Sequence, residues 1–162
     1  MSETPPGLRI VPARAIHREF VRRLSAEVFS RFGDYETLLP RMMSWPWVDT
    51  DVAEIDGCPV GFTMLSTEHL GEGETELTAI AVEPGRQGCG VGARLLAHVE
   101  EQTLRLVPEG PIAVRLTVAG DNRRARRVFA AAGYRVAPGF REPYPGGQPS
   151  LTMLKPLVGE RA

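Results

Sequence analysis

The chain has 162 residues, of which 43% are hydrophobic and 24% charged, a globular composition that argues against disorder and low complexity. The length favours a single domain over residues 1–162, with a core from about residue 8 to residue 157. The formal net charge of −1 gives no global signature of nucleic-acid binding, and no apolar run approaches the ~18–20 residues of a membrane span.

The first half of the chain predicts three strands and two helices. Apolar residues between Phe20 and Phe32 recur at three- and four-residue steps, which indicates an amphipathic helix. Asp56-Gly57 is a dipeptide typical of a tight hairpin turn between two strands. In chain order, the predicted elements are strand 8–11, helix 20–32, helix 36–43, strand 52–55 and strand 60–65.

The second half predicts four further strands and two helices. Asp121 or Asn122 caps the second of these helices, and Gly133 ends it. The predicted elements are strand 76–82, a Gly-rich segment 85–92, a helix to about Leu106, strand 112–118, helix 123–132, strand 134–137 and strand 151–154. The resulting order, β-α-α-β-β-β-α-β-α-β-β, predicts an α/β fold with a mixed sheet and helices on its faces.

The cysteines and histidines limit the compartment and the metal chemistry. Cys58 and Cys89 are too few for a disulfide framework, and the N-terminus lacks a hydrophobic signal core. We therefore expect a soluble, cytoplasmic protein. The three histidines are far apart and lie next to no cysteine, so no zinc spacing is present and we expect no metal.

The most informative segment runs from Leu77 to Leu96, where a strand leads into three glycines and a helix then begins. Gly88, Gly90 and Gly92 lack the Cβ atoms that would keep a ligand away from the backbone. Their amides can point at one anion, and the positive end of the helix dipole adds to the attraction. The segment therefore predicts a binding site for a pyrophosphate.

Two nucleotide-binding motifs fit this segment less well. A P-loop needs Gly-Lys-Ser/Thr after the glycines, whereas Val91-Gly92-Ala93 is found here. Gly88, Gly90 and Ala93 match the dinucleotide pattern G-x-G-x-x-G/A, but several residues separate them from the strand. The acid at the required spacing, Glu109, precedes the next strand instead of ending it. A small NAD-binding domain is therefore a remote alternative.

Two motifs resemble those of the general N-acetyltransferase superfamily, usually called GNAT. Gln87-Gly88-Cys89-Gly90-Val91-Gly92 resembles the signature Q/R-x-x-G-x-G/A, and Ile80 to Pro84 is similar to the family's fourth strand and its V-x-P exit. Residues Leu116 to Tyr134 resemble the second motif, L-x-V…N-x-x-A-x-x-x-Y-x-x-x-G-F. The ending, 143–157, is similar to many family C-termini. The motifs stand in the family's order, and the resemblance spans residues 8–157.

The resemblance implies a six- to seven-stranded, mainly antiparallel sheet with about four helices, and acetyl-CoA as the co-substrate. The pantetheine arm would lie between the splayed fourth and fifth strands like an added strand. Asn122 would reach the cofactor with its side chain, and Cys89, at a variable motif position, is expected to be a spacer. The implied cofactor-binding residues are Ile80, Ala81, Val82, Gln87, Gly88, Cys89, Gly90, Val91, Gly92, Ala93, Asn122 and Phe129.

Acetyl transfer to an amine requires a general base, because a protonated nitrogen has no lone pair with which to attack the thioester. Glu76, six residues before Val82, stands where some family members place a catalytic Glu. In a regular strand, Glu76 would share a face with Thr78, Ile80 and Val82, where it would be partly buried. The amide of Val82 is the candidate donor to the oxyanion.

The sequence departs from the family pattern at two positions. Phe129 stands where the family usually has a Tyr that acts as a general acid. Thr117 stands where the ribosomal-protein alanine N-acetyltransferases, to which the overall pattern is distantly similar, carry a Glu. Tyr144, before the last strand, is the candidate replacement acid; the alternative is a rim aromatic that shapes the acceptor pocket. These departures leave open a non-catalytic acyl-CoA-binding or sensory module.

Two residue groups complete the prediction. The basic run Arg123–Arg127 is interpreted as a solvated helix face, so we expect no nucleic-acid partner and no membrane partner. An aromatic cluster from Phe29 to Trp47 borders the expected acceptor site, and Trp45 and Trp47 are its specificity candidates. The sequence thus predicts an acetyl-CoA-dependent N-acetyltransferase for a primary amine of a small molecule, peptide or protein. A homodimer paired through sheet edges stays open.

Overall fold

A computed structural model describes residues 3–157, in which four α-helices and seven strands follow the predicted order. The strands are β1 (Leu8–Pro12), β2 (Val48–Ile55), β3 (Cys58–Ser66), β4 (Glu74–Val82), β5 (Ile112–Ala119), β6 (Arg135–Ala137) and β7 (Ser150–Leu157). The helices are α1 (Arg18–Phe29), α2 (Tyr35–Met42), α3 (Val91–Leu106) and α4 (Arg123–Ala131). The largest boundary differences are in β2 and β7, which are longer than predicted.

The seven strands form one sheet in the order β1-β2-β3-β4-β5-β7-β6. Within the described residues, β4 and β5 pair in parallel, and every other neighbouring pair is antiparallel. The predicted β2–β3 hairpin is confirmed: Asp56 and Gly57 have φ of 51° and 80°, the positive values that a type I′ turn requires. The mixed, mainly antiparallel sheet predicted from the sequence is therefore confirmed.

Helices cover both faces of the sheet. Leu96 and Val99 of α3 pack on one face, and Phe20 and Leu24 of α1 pack on the other. The helical periodicity of the sequence predicts that Leu106 and Val128 lie on the inner faces of their helices, but Leu106 is 42% exposed and Val128 is 45% exposed. Leu106 is the last residue of α3, and the buried stripe of α4 is narrow because it consists of Ala125, Phe129 and the following Ala132.

β4 and β5 separate along their length. Their pairing begins at Glu74↔Ala113 and ends at Leu77↔Leu116. β4 stays paired with β3 as far as Val82, so from Thr78 to Val82 its other edge has no strand partner in the described part of the chain. The chain therefore has the splayed strands that the resemblance implied, with a free strand edge lining the gap.

Three structural findings concern membranes, metals and thiols. None of the helices between residues 3 and 157 combines the length and the apolar character needed to cross a bilayer. Within the same residues, no group of three or more His, Cys, Asp or Glu is placed to hold a metal ion. Both cysteines, Cys58 and Cys89, are free and exposed.

Candidate active site

A cavity of about 470 Å³ opens where β4 and β5 separate. Its floor is formed by the two strands, and its walls are formed by α1, α2, the start of α4 and the loop before β7. The lining residues are Phe29, Phe32, Tyr35, Leu39, Glu76, Leu77, Thr78, Ala79, Ile80, Leu116, Thr117, Val118, Ala119, Asn122, Ala125, Phe129, Glu142, Pro143, Tyr144, Pro145 and Ser150.

A β-bulge at Thr78 decides which way Glu76 faces. The β3–β4 register skips Thr78, so the alternation of side chains shifts by one residue there. As a result, Leu77 and Ile80 pack in the same core cluster beneath α3, although they are three residues apart. Glu76, the neighbour of Leu77, lies on the opposite face with α1 and α2. The prediction that Glu76 shares a face with Ile80 and Val82 is therefore wrong.

Glu76 lines the cavity as a half-buried carboxylate. Among the described residues it forms no ion pair, because the nearby Arg115 instead approaches Glu74, with 3.7 Å between Nε and Oε2. A carboxylate without a bound cation keeps its lone pairs for a proton or for a water molecule. The position suits a general base that acts on a group held in the cavity.

The Gly-rich loop presents free backbone donors at the start of α3. Gly88 and Gly90 have φ of 80° and 91°, which favour glycine over any other residue. No side chain caps α3, and within the described chain the amides of residues 88–93 donate no hydrogen bond to a loop or turn. Such uncapped amides at the positive end of a helix dipole form an anion site.

The loop and Glu76 stand at opposite ends of the free edge of β4. The six residue-to-residue steps from Glu76 to Val82 span about 20 Å in an extended strand. Val82 leads into the loop, and the Nε2 group of Gln87 donates a hydrogen bond of 3.1 Å to the carbonyl of Val82. Gln87 therefore fixes the corner between the strand and the loop.

Asn122 caps α4 and also lines the cavity. Its Oδ1 accepts a hydrogen bond of 3.2 Å from the amide of Ala125, which leaves its NH₂ group as the end that can reach a ligand. Phe129 follows two turns later on the same helix, where its ring lines the cavity and packs edge-to-face on Tyr134 at 6.0 Å. Position 129 therefore contributes an apolar wall without a hydroxyl.

Aromatic rings enclose the end of the cavity that faces α1 and α2. Phe29 lies 6.1 Å from Tyr35, and Phe32 lies 5.1 Å from Tyr144, between ring centroids. Burial, with a smaller contribution from Tyr35, raises the pKa of the Tyr144 hydroxyl to about 12. Tyr144 is thus a protonated donor at any ordinary pH.

Trp45 and Trp47, the predicted specificity candidates, do not line this cavity. Their rings lie 5.6 Å apart and pack on each other, and Trp47 is 42% exposed. The aromatic positions that do line the cavity come from α1, from α2 and from the loop before β7.

Residues 142–148, which we call the closing loop, dock against the connection between α1 and α2. The amide of Gly146 donates to the carbonyl of Phe32 at 3.0 Å, and Nε2 of Gln148 donates to the carbonyl of Arg31 at 2.7 Å. A Cβ atom at Gly146 would collide with the carbonyl oxygen of Arg31, so the close approach requires glycine. This docking holds Tyr144 against Phe32.

The structure brings part of the predicted site together. Glu76, Ile80, Asn122, Phe129 and Tyr144 line the cavity. The other predicted residues form the end of β4, the loop beyond it and the first turn of α3: Ala81, Val82, Gln87, Gly88, Cys89, Gly90, Val91, Gly92 and Ala93. Sequence reasoning missed Glu142 and Ser150, because no local pattern indicates where a Pro/Gly-rich loop docks. The roles of all these residues stay predictions.

Sequence comparison places this chain among acetyltransferases. A sequence profile of the Acetyltransferase (GNAT) family matches residues 15–134. A mycothiol acetyltransferase of Kineococcus radiotolerans is 34% identical over 89 residues, which are 55% of this chain and 28% of that protein. An L-2,4-diaminobutyric acid acetyltransferase of Nocardia farcinica is 31% identical over 86 residues, 53% of this chain and 43% of that protein. The chain thus spans less than half the length of these two curated relatives.

Solved structures share the fold at low sequence identity. The ribosomal-protein-S18-alanine N-acetyltransferase of Escherichia coli superposes with a TM-score of 0.77 at 19% identity, covering 96% of this chain and 98% of that one. A spermidine N-acetyltransferase of Vibrio cholerae, solved in complex with CoA and spermine, superposes with a TM-score of 0.76 at 16% identity. That superposition covers 94% of this chain and 96% of the other.

Proposed function

Because this chain belongs to the Acetyltransferase (GNAT) family, we propose that it transfers an acetyl group from acetyl-CoA to a primary amine. The observation that carries the proposal is the cavity between β4 and β5, with free loop amides beyond one end of β4 and Glu76 at the other. The single domain, the cytoplasmic location and the absence of a metal cofactor belong to the same proposal. The two free, exposed thiols suit a reducing compartment.

The residues of the chain fit acetyl-CoA along the free edge of β4. The amides of residues 88–93 bind the pyrophosphate, and the unpaired edge from Thr78 to Val82 pairs with the pantetheine arm. The NH₂ group of Asn122 and the ring of Phe129 contact the arm from the side of α4. An arm bound along about 20 Å of strand places its far end beside Glu76.

Two side chains move the protons. Acetyl-CoA supplies the acetyl group as a thioester, and CoA leaves as the free thiol. Glu76 accepts the proton of the ammonium group, directly or through water, so that the nitrogen can attack the carbonyl carbon. As the carbon–sulfur bond breaks, Tyr144 donates its hydroxyl proton to the sulfur, because a thiolate in the same apolar cavity is also penalised. The attacking nitrogen, which still carries an extra proton in the tetrahedral adduct, releases it to solvent as the amide forms. Solvent then returns a proton to Tyr144, and Glu76 gives up its own proton to solvent.

Calorimetric titration tests the proposal. We expect saturable binding of acetyl-CoA and none of NADH or ATP under the same conditions. Free-thiol release with amine acceptors then separates an enzyme from a non-catalytic acyl-CoA-binding module. The acetyltransferase proposal fails if acetyl-CoA does not bind, and tight NADH binding would favour the dinucleotide alternative instead.

The acid role of Tyr144 predicts a distinctive pH profile. Tyr144→Phe is expected to lower kcat by about 10–100-fold, because the ring stays and only the proton donor is lost. Since the pKa of Tyr144 is raised to about 12, its hydroxyl stays protonated as pH rises, and wild-type kcat should not fall at alkaline pH below that value.

The control for this variant is Tyr134→Phe. Tyr134 is 2% exposed, its hydroxyl has no partner among the described residues, and it does not line the cavity. Its replacement should leave kcat unchanged. An alkaline limb near pH 9 that disappears in Tyr144→Phe would contradict the raised pKa, and unchanged kcat in that variant would remove Tyr144 from the mechanism.

A further inference from the structure

The charges in the cavity wall are of one sign. Within residues 3–157, Glu76 and Glu142 are the only charged residues that line it, and no Arg, Lys or His of this part of the chain does so. Glu76 is half-buried, and Glu142 is exposed at the mouth, in the loop before β7. An acceptor in this cavity therefore meets carboxylates and no positive partner.

The guanidinium group of Arg31 lies near the cavity end that faces α1 and α2, but it already interacts with Phe32 and Asp121. Its carbon lies 4.2 Å from the centre of the Phe32 ring, and its Nη2 lies 3.3 Å from Oδ1 of Asp121. Arg31 does not line the cavity. It stacks on the Phe32 ring and is paired with Asp121.

The end of the cavity that faces α1 and α2, which we call the acceptor end, is otherwise aromatic. Phe29 with Tyr35, and Phe32 with Tyr144, form two pairs of rings on one side of the cavity. Ring faces carry partial negative charge and attract cations, and the same rings bury an apolar or aromatic body. Carboxylates and aromatic rings together favour a cation with an apolar body.

The closing loop limits how far an acceptor can extend. Its hydrogen bonds to the carbonyls of Arg31 and Phe32 join it to the connection between α1 and α2. Both segments contribute residues to the wall of the acceptor end, so their contact closes the gap between them through which a peptide could run. A small molecule fits this enclosure better than an extended chain.

We propose, resting on the function proposed above, that the acceptor is a small arylalkyl or alkyl amine whose only charge is its ammonium group. Amines that also carry a carboxylate are disfavoured, because that group would meet Glu76 and Glu142 with no cation to pair with. The acceptor end thus selects by charge as well as by size.

Four probes with the same benzyl group test this inference with the intact protein and saturating acetyl-CoA: 2-phenylethylamine, L-phenylalaninamide, L-phenylalanine and an amidated heptapeptide that begins with Phe. We expect kcat/KM for 2-phenylethylamine to exceed that for L-phenylalanine by about 100-fold, since like charges close together are strongly unfavourable. L-Phenylalaninamide, whose carboxyl group is neutralised, should fall between them. The heptapeptide should be at least about tenfold poorer than 2-phenylethylamine.

Glu142→Gln provides the variant test. It should narrow the preference for 2-phenylethylamine over L-phenylalanine severalfold, whereas Glu109→Gln, an exposed glutamate outside the cavity, should leave the preference unchanged. Equal use of L-phenylalanine, better use of the heptapeptide, or an unchanged preference in Glu142→Gln would overturn the inference. So would acetyl-CoA binding without turnover of any probe, whereas failure to bind acetyl-CoA would instead overturn the proposed function.

Discussion

In Glu76→Gln, kcat for acetyl transfer is expected to fall by about 10²–10⁴-fold at pH 7, the usual contribution of a general base. The substitution keeps the size and shape of the side chain, but an amide cannot accept the proton of the ammonium group. Glu76 lies near the end of β4 that is remote from the Gly-rich loop, so the Kd of acetyl-CoA should stay unchanged. Steady-state thiol release and calorimetry together measure the two quantities.

The deficit of Glu76→Gln should shrink as pH rises. A primary alkyl amine has a pKa of about 10.4, so at high pH more of it is already deprotonated and needs no base. The matched control is Glu72→Gln, whose carboxylate is 75% exposed and lies outside the cavity. If Glu76→Gln instead keeps its activity within about twofold of wild type at pH 7, another group removes the proton.

In Gly90→Val, the Kd of acetyl-CoA is expected to rise by about 10–100-fold. Gly90 has a φ of 91° at the start of α3, and it is buried. A β-branched residue in this left-handed region costs at least about 1–2 kcal/mol, and each 1.4 kcal/mol is tenfold in Kd. The loop relieves this strain by moving, which turns the amides of residues 88–93 away from a common anion.

Gly85→Ala is the control for this variant. Gly85 lies in the same connection between β4 and α3, but its φ is not in the left-handed region, and an added Cβ would meet nothing within 4 Å. Binding should therefore be unchanged. Far-UV circular dichroism checks that Gly90→Val is folded. An unchanged Kd in a folded Gly90→Val protein would exclude the loop as the pyrophosphate site.

The family resemblance was confirmed. It could be found in the local sequence because a motif is a property of neighbouring residues. The glycines before α3, the Asp56-Gly57 turn and the Asn122 cap each act within a few residues. The element order followed from periodicity for the same reason. The exposed Leu106 and Val128 show the limit of this reasoning, because periodicity does not say where a partner surface ends.

The face on which Glu76 lies was decided by tertiary structure. Strand alternation predicted that Glu76 and Val82 share a face, but the bulge at Thr78 reversed the relation, and a bulge becomes visible only when β4 is paired with β3. Local sequence likewise could not predict that Tyr144, and not Trp45, lines the cavity.

The sequence by itself determined the family, the order of the elements and the Gly-rich loop for which we propose pyrophosphate binding. Each of these depends on interactions between residues that are close in the chain. The tertiary structure alone decided the shape and charge of the acceptor end. There, Gln148 bonds to the carbonyl of Arg31 from 117 positions away, and Tyr144 meets Phe32. Such contacts depend on how the whole sheet packs against its helices, which no local pattern records.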